Sequence, residues 1–287
     1  MKRLFGILLW LSALAATPAL AEAPASLQFL EARLSSLANS SPGNIGIAAL
    51  DLRTGELVAV HGDEPFPMAS TMKVAVAANY LAQVEFGRRS LDERIGGRTA
   101  SQLMHAMITR SDNHATDLLI RNLGGPGRIQ EWLEQRNING LRIDRNIAQL
   151  LAAKRDLWDV RDSSTPKAMV ELLRRLDNGT LLRPWSRSYL LNLMGQCRTG
   201  KNRMRGMLPA GTRVEHKTGT LSGYSSDVGF ITLPGGRRLA VAFFARSTPN
   251  RPQTIAAAAR TIYDGFLHAI RSRFAAAHNP QSVYATQ

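Results

Sequence analysis

The 287-residue chain contains one cysteine, Cys197, so no internal disulfide can form and stability has to come from packing. That cysteine stands in Gln196-Cys197-Arg198-Thr199-Gly200 with no base beside it in the sequence, which argues against a thiol nucleophile. Acidic side chains are scarce. The 22 Asp and Glu face 36 Lys and Arg, a formal charge of +14, and such an excess attracts carboxylates or an anionic polymer such as a cell wall, unless it is only a solvated surface. Apolar runs are short: none approaches the ~18 residues of a membrane-spanning helix, so no stable membrane anchor is expected. Internal repeats and linker-like segments are also missing.

What is present begins with a leader pattern. Met1-Lys2-Arg3 is a short basic start, Leu4 to Ala16 is apolar, and Ala19-Leu20-Ala21 supplies small residues before a cleavage point. Residues 1–21 therefore read as a secretory signal cut after Ala21, the alternative being an uncleaved anchor. The expected destination is the periplasm or the exterior, which argues against nucleic acid as the partner of the basic charge. A monomer acting on a small-molecule substrate is expected.

With 44% hydrophobic residues the chain can bury one large core or two adjoining ones. Leu27, Leu30, Leu34 and Leu37 recur at helical spacing, and Ser41-Pro42-Gly43 ends that helix. Ile45 to Leu50 and Glu56 to Val60 read as a hairpin about Asp51-Leu52-Arg53-Thr54-Gly55. From Ser70 to Met194 the pattern is mostly helical, punctuated by Gly124-Gly125-Pro126 and by Ser163-Ser164-Thr165-Pro166. Met169, Leu172, Leu173 and Leu176 share one helical face. Strands return at Thr212 to Thr218, Asp227 to Leu233 and Leu239 to Ala245, before a last helix over Ile255 to Ile270. The expected fold is α/β of the α+β kind: an antiparallel sheet flanked by helices, built from both chain ends, with an inserted all-helical domain. The boundaries expected are 22–65 plus 195–275 for the sheet domain, 66–194 for the helical domain and 276–287 for a loose tail. A cleft lies between two such bodies.

Three motifs carry chemistry. In Ser70-Thr71-Met72-Lys73 the hydroxyl and the amine sit at i and i+3 on one helix face, and a lysine whose pKa is lowered can take the proton of a serine nucleophile. Ser70 could instead be a plain N-cap. Ser111-Asp112-Asn113 lies at a junction of two helical patterns; Ser111 can relay a proton to a leaving nitrogen and Asn113 can hold a substrate amide, or the turn can be only a cap. Lys217-Thr218-Gly219-Thr220 closes a strand pattern. There Lys217 can hold a substrate carboxylate and depress Lys73, Gly219 can admit the substrate backbone along the strand, and the N–H of Thr220 with that of Ser70 can form an oxyanion hole.

Each motif is weak alone, but in this order the trio is that of class A β-lactamases and penicillin-binding proteins. The sequence resembles that superfamily, class A most closely, from about Ala25 to Ala269. Further agreement lies in Phe66-Pro67-Met68-Ala69, Asp117-Leu118-Leu119, Leu123-Gly124-Gly125-Pro126, Arg161-Asp162-Ser163-Ser164-Thr165-Pro166, and Thr199-Gly200 through Arg203 to Leu208-Pro209-Ala210-Gly211. The resemblance implies a two-domain serine hydrolase acylated at Ser70 by a β-lactam. It also implies that Arg203 helps bind the substrate carboxylate, the plain alternative being a surface charge.

Two departures stand out. Class A enzymes carry a glutamate that activates the deacylating water, whereas Asn146 to Arg155 reads N-I-A-Q-L-L-A-A-K-R. Lys73 acting twice, Gln149 orienting a water, or a displaced Asp156 or Asp159 are the routes left. A Zn-bound hydroxide near His105, His114 and His216 is a further alternative, but no H-x-H or H-x-x-x-H spacing is present, so neither metal nor another cofactor is expected. The segment after Leu91-Asp92-Glu93-Arg94-Ile95 is also shorter than is usual in the family, which predicts a more open cleft. The reading is thus a β-lactamase, with a penicillin-binding-type peptidase or β-lactam trap as the second possibility and a non-catalytic cell-wall binder as the third.

Overall fold

Alternating apolar positions at both ends of the chain meet in one sheet. A computed structural model describes residues 25–40, 44–153 and 156–277; the leader, Ser41-Pro42-Gly43 and most of the expected tail lie outside the described residues. A 3₁₀ turn (Ala25–Leu27) leads into α1 (Gln28–Asn39), followed by β1 (Asn44–Asp51), β2 (Leu57–Val60) and the short β3 (Phe66–Pro67). A second 3₁₀ turn (Ala69–Met72) runs directly into α2 (Lys73–Glu85), then come the two-residue strands β4 (Arg94–Ile95) and β5 (Arg98–Thr99) and the helices α3 (Ala100–Thr109), α4 (Asn113–Asn122), α5 (Pro126–Glu134) and α6 (Ile147–Ala152). After β6 (Ser163–Ser164) follow α7 (Pro166–Asp177), α8 (Pro184–Gly195), β7 (Val214–Leu221), β8 (Tyr224–Thr232), β9 (Arg238–Arg246) and α9 (Arg251–Ala277).

The main sheet has five strands in the order β2-β1-β9-β8-β7, antiparallel throughout. Both chain ends thereby enter one sheet, as expected from the sequence, and the first strand lies against the last. Side chains alternate across a strand, so Leu239, Val241, Phe243 and Ala245 enter one core with α1 and α9, while Ala240, Ala242 and Phe244 enter the other with α2, α3 and α7. Both faces are covered, which is why these strands read as nearly continuous apolar runs. α7 buries Met169, Leu172, Leu173 and Leu176 and packs on β1 and β9; although it falls within the stretch 66–194, it forms a layer on the sheet.

Local signals set the helix starts. Thr99 and Gln102 form a capping box at α3, and Thr165 caps α7 ahead of Pro166. Two expectations need correction. The Lys217-Thr218-Gly219-Thr220 segment lies inside β7 rather than at its end, because pairing with β8 continues to Leu221↔Tyr224. The final helix also extends beyond both expected ends, starting at Arg251 and taking in Ala276 and Ala277.

Candidate active site

Ser70 occupies the 3₁₀ turn and caps nothing: the capping position is Met68, which makes no side-chain bond. In a 3₁₀ turn residues i and i+3 eclipse, so the Ser70 hydroxyl and the Lys73 amine rise on the same face. Ala69, just before the serine, holds a left-handed φ of 51°, a strained conformation that surrounding contacts must enforce. Those contacts are visible. Met68 N–H donates to Asp162 O at 2.9 Å, Thr71 Oγ1 donates to Met68 O at 2.7 Å, and the Tyr224 hydroxyl donates to Pro67 O.

The Lys73 amine is buried. It donates to Ser111 O at 2.8 Å, Ser111 Oγ at 3.1 Å and Asn113 Oδ1 at 2.8 Å. Lys217, from β7, donates to the same Ser111 Oγ at 3.0 Å and to Thr218 O at 2.8 Å. One hydroxyl therefore bridges two lysines, with its own proton still to give. Ser111 also has a left-handed φ, 60°, while Asp112 between the two functional residues caps α4 through Ala115 N–H at 2.8 Å. The turn is thus a cap and more than a cap. The Ser70 hydroxyl makes no hydrogen bond among the described residues, and the amine three residues on is turned toward Ser111 and Asn113.

Burial, and next the charge of Lys217, lowers the Lys73 pKa to about 7 against a weaker opposite pull from Asp112 and Asp117. Burial likewise brings Lys217 down to about 8, with Arg203 pushing the same way and Cys197 and Asp227 opposing. Near neutrality the first can be an amine while the second is an ammonium.

Arg203 is buried rather than a surface charge. It donates to Gly219 O at 2.8 Å, Ser226 O at 3.0 Å and Thr220 Oγ1 at 2.7 Å. Thr218 is buried, and its Oγ1 lies 2.5 Å from Thr199 Oγ1. Three threonine hydroxyls and one guanidinium therefore meet along β7. Thr199 was not singled out from the sequence; its signal was the Thr199-Gly200 step four residues ahead of Arg203. Gly219 also has a packing reason beside the one expected: a Cβ there would lie 2.4 Å from Ser226 Oγ, 2.7 Å from Met68 O and 3.0 Å from Ala69 Cβ. The missing side chain admits the Ser70 turn against the strand. β7 is the edge strand, so alternate backbone groups of this segment, Thr220 among them, are open to a ligand.

The 144–162 segment, tied to the Ser70 turn through Asp162, spends its carboxylates on itself. Asp162 accepts from Asp144 N–H at 2.8 Å, Arg145 N–H at 2.9 Å and Arg145 Nε at 2.6 Å. Asp117 of α4 accepts from Ile147 N–H at 2.7 Å and Ala148 N–H at 2.9 Å, and Asp156 accepts from Trp158 N–H at 2.9 Å. Asp159 is gripped by Arg161 and Arg145. Hydrogen bonds from Arg161 hold its pKa down at about 2, which makes it a feeble base. Gln149 is exposed and completes a capping box with Asn146 at α6. Arg246 anchors the segment, its guanidinium 3.4 Å from the Trp158 ring centroid and 4.5 Å from that of Phe66. Among the described residues no three His, Cys, Asp or Glu gather into a possible metal site.

Comparison with known proteins places this geometry. A family model described as the beta-lactamase enzyme family matches residues 29–266. The extended-spectrum beta-lactamase PER-1 of Pseudomonas aeruginosa is 28% identical over 275 residues, covering 84% of this chain and 89% of its own. A reconstructed ancestral class A beta-lactamase (GNCA) superposes with a TM-score of 0.78 at 35% identity, covering 83% of this chain and 100% of that one. A beta-lactamase from Chitinophaga pinensis does so with a TM-score of 0.78 at 26% identity, over 83% of this chain and 100% of its own.

Proposed function

The chain belongs to the beta-lactamase enzyme family and is a class A-like serine β-lactamase by fold; from that premise we propose that β-lactams acylate it at Ser70 and that it hydrolyses the ring amide. The observation that carries this reading is the Ser111 hydroxyl bonded to both Lys73 and Lys217. In acylation, Ser70 Oγ bonds to the lactam carbonyl carbon as the Lys73 amine takes the hydroxyl proton. Ser111 passes that proton to the ring nitrogen as the carbon–nitrogen bond breaks. The backbone N–H groups of Ser70 and Thr220 hold the oxyanion, and Asn113, whose Oδ1 is occupied by Lys73, offers its NH₂ to a substrate amide carbonyl. Lys217, Arg203, Thr218 and Thr220 receive the substrate carboxylate, with Gly219 keeping the strand against the serine turn. In deacylation Lys73 takes the proton of the attacking water, as the carboxylates across the cleft are otherwise engaged.

Multi-turnover hydrolysis of a chromogenic cephalosporin, lost in Ser70→Ala, is the expected result; turnover no greater than that variant's ends the claim. The engaged carboxylates favour one second reading, a penicillin-binding-type protein that keeps its acyl group. Intact-protein mass spectrometry separates them, since a persistent adduct supports trapping and a transient one supports turnover. We further read residues 1–21 as an export signal and the sheet and helical bodies as two domains flanking the site. Among the described residues no helix is long and apolar enough to cross a membrane.

A further inference from the structure

Behind the carboxylate corner lies a buried group of three residues that the acylation scheme leaves unused. His216, next to Lys217 on β7, is fully buried, and its Nδ1 lies 2.7 Å from Asp227 Oδ1 on β8. Its Nε2 is buried without a hydrogen-bond partner, and the imidazole interacts with the thiol of Cys197. The sequence offered Cys197 no base; the fold supplies one nineteen residues away, because the 197–203 loop is tied to β7. Burial alone would raise the thiol, but its interaction with His216, then the charge of Lys217, outweigh it and bring the thiol well below its ordinary range. Burial alone would lower the imidazole, and Asp227 more than reverses this. The charged groups facing the pair are therefore Lys217 from β7, Asp227 from β8 and Arg203 from the loop.

The thiol is wired to the site. Its Sγ lies 3.3 Å from Thr199 Oγ1, and Thr199 Oγ1 lies 2.5 Å from Thr218 Oγ1. Thr218 O in turn accepts from the Lys217 amine at 2.8 Å. Arg198 N–H donates to Thr109 O at 2.9 Å, just ahead of Ser111. There is little slack, since a Cβ at Gly200 would lie 2.6 Å from Thr218 Cγ2. Cys197 is 7% exposed, and Arg198, Lys201 and Asn202 close to it in the chain are exposed.

We propose that Cys197, held by His216 and Asp227, is a modification site for hydroperoxides, and that its oxidation unseats Thr199 from Thr218 and weakens the neighbouring catalytic site. In the step, the thiolate sulfur attacks one peroxide oxygen; the S–O bond forms and the O–O bond breaks. Sulfur is oxidised by two electrons to a sulfenic acid, and the leaving hydroxide takes the His216 proton to become water. The added oxygen then occupies space between Sγ and the Thr199 hydroxyl. The effect on catalysis rests on the β-lactamase reading, whereas the modification itself does not.

The test treats the full chain with hydrogen peroxide in the presence of dimedone and reads intact mass and peptide maps. A single adduct on Cys197 is expected in the folded protein, with a rate that inflects below about pH 7.5 and falls at least about tenfold in His216→Asn. Absence of the adduct, or inflection at the ordinary thiol value, overturns the site; where His216→Asn fails to fold, the wild-type pH profile decides alone. Without dimedone, peroxide should cut cephalosporin turnover at least about tenfold, dithiothreitol should restore it, and Cys197→Ser should keep its activity at the same dose. Labelling with turnover unchanged, or equal loss in Cys197→Ser, overturns the coupling. Because the adduct is read by mass, a protein that labels yet never turns over a cephalosporin sinks the hydrolytic reading and leaves the modification site standing.

Discussion

The two walls packed against the Ser70 turn use polar groups in opposite ways. On the β7 side, Lys73, Ser111 and Lys217 share hydrogen bonds yet keep something in reserve: a hydroxyl proton on Ser111, an amine brought to about pKa 7, and a Ser70 hydroxyl without a partner among the described residues. On the 144–162 side, Asp117, Asp144, Asp159 and Asp162 are each bonded to backbone N–H or guanidinium groups, and Asp159 moves away from neutrality rather than toward it. Both sides are hydrogen-bonded, but only the first brings a pKa toward neutrality. Chemistry resides where burial and like charge bring a pKa toward neutrality, and structure resides where opposite charge pins a group in one state.

That contrast can be broken most sharply at Ser70. Ser70→Ala should lower cephalosporin turnover by roughly 10⁴- to 10⁶-fold and abolish the covalent penicillin adduct in intact-mass spectra. Lys73→Met should slow acylation by about 10²- to 10⁴-fold in single-turnover measurements while the protein unfolds at an unchanged denaturant midpoint or a higher one, because a buried amine is removed. On the opposite wall the effects should exchange. Asp162→Ala should cost about 3 kcal/mol in denaturant unfolding, since it removes the acceptor shared by the Asp144 and Arg145 N–H groups and the nearest partner of the half-buried Arg145 guanidinium. The pH profile sharpens the β7 side. Acylation needs Lys73 neutral and Lys217 charged, so its rate should fall about tenfold per unit below about pH 7 and again above about pH 8. The smallest effect belongs to Asp159→Asn, which should change turnover by less than about threefold, in keeping with a group too weakly basic to accept a proton. A large loss there would reverse the roles assigned to the two walls.

Much of the β7 wall was legible because its parts lie in short motifs. Ser70 and Lys73 are held together by one turn, Ser111 and Asn113 by another, and Lys217 to Thr220 by one strand, so spacing alone sets most of their geometry. The sheet was legible too, since strands covered on both faces leave apolar runs such as Leu239 to Ala245. What escaped depends on contacts between distant segments. The bond from Thr199 to Thr218 and the approach of His216 to Cys197 exist only once the 197–203 loop lies against β7, and nothing near Cys197 in sequence announces a base. The packing reason for Gly219 escaped as well, because the Met68 and Ser226 oxygens that exclude a side chain there come from other elements. The strands β3 to β6 were too short to register as patterns, each having two residues.

The pairing of β1 with β9 governs how the molecule is made. Residues 44–51 leave the ribosome early, yet one flank of that strand is completed only by residues 238–246, so the nascent polypeptide carries an unfinished edge through most of its synthesis. Long-range closure of this kind is slow, so that flank of β1 stays open until residues 238–246 have been made. A chain cut before Arg238 should therefore expose one edge of β1 and be prone to pair with other copies of itself.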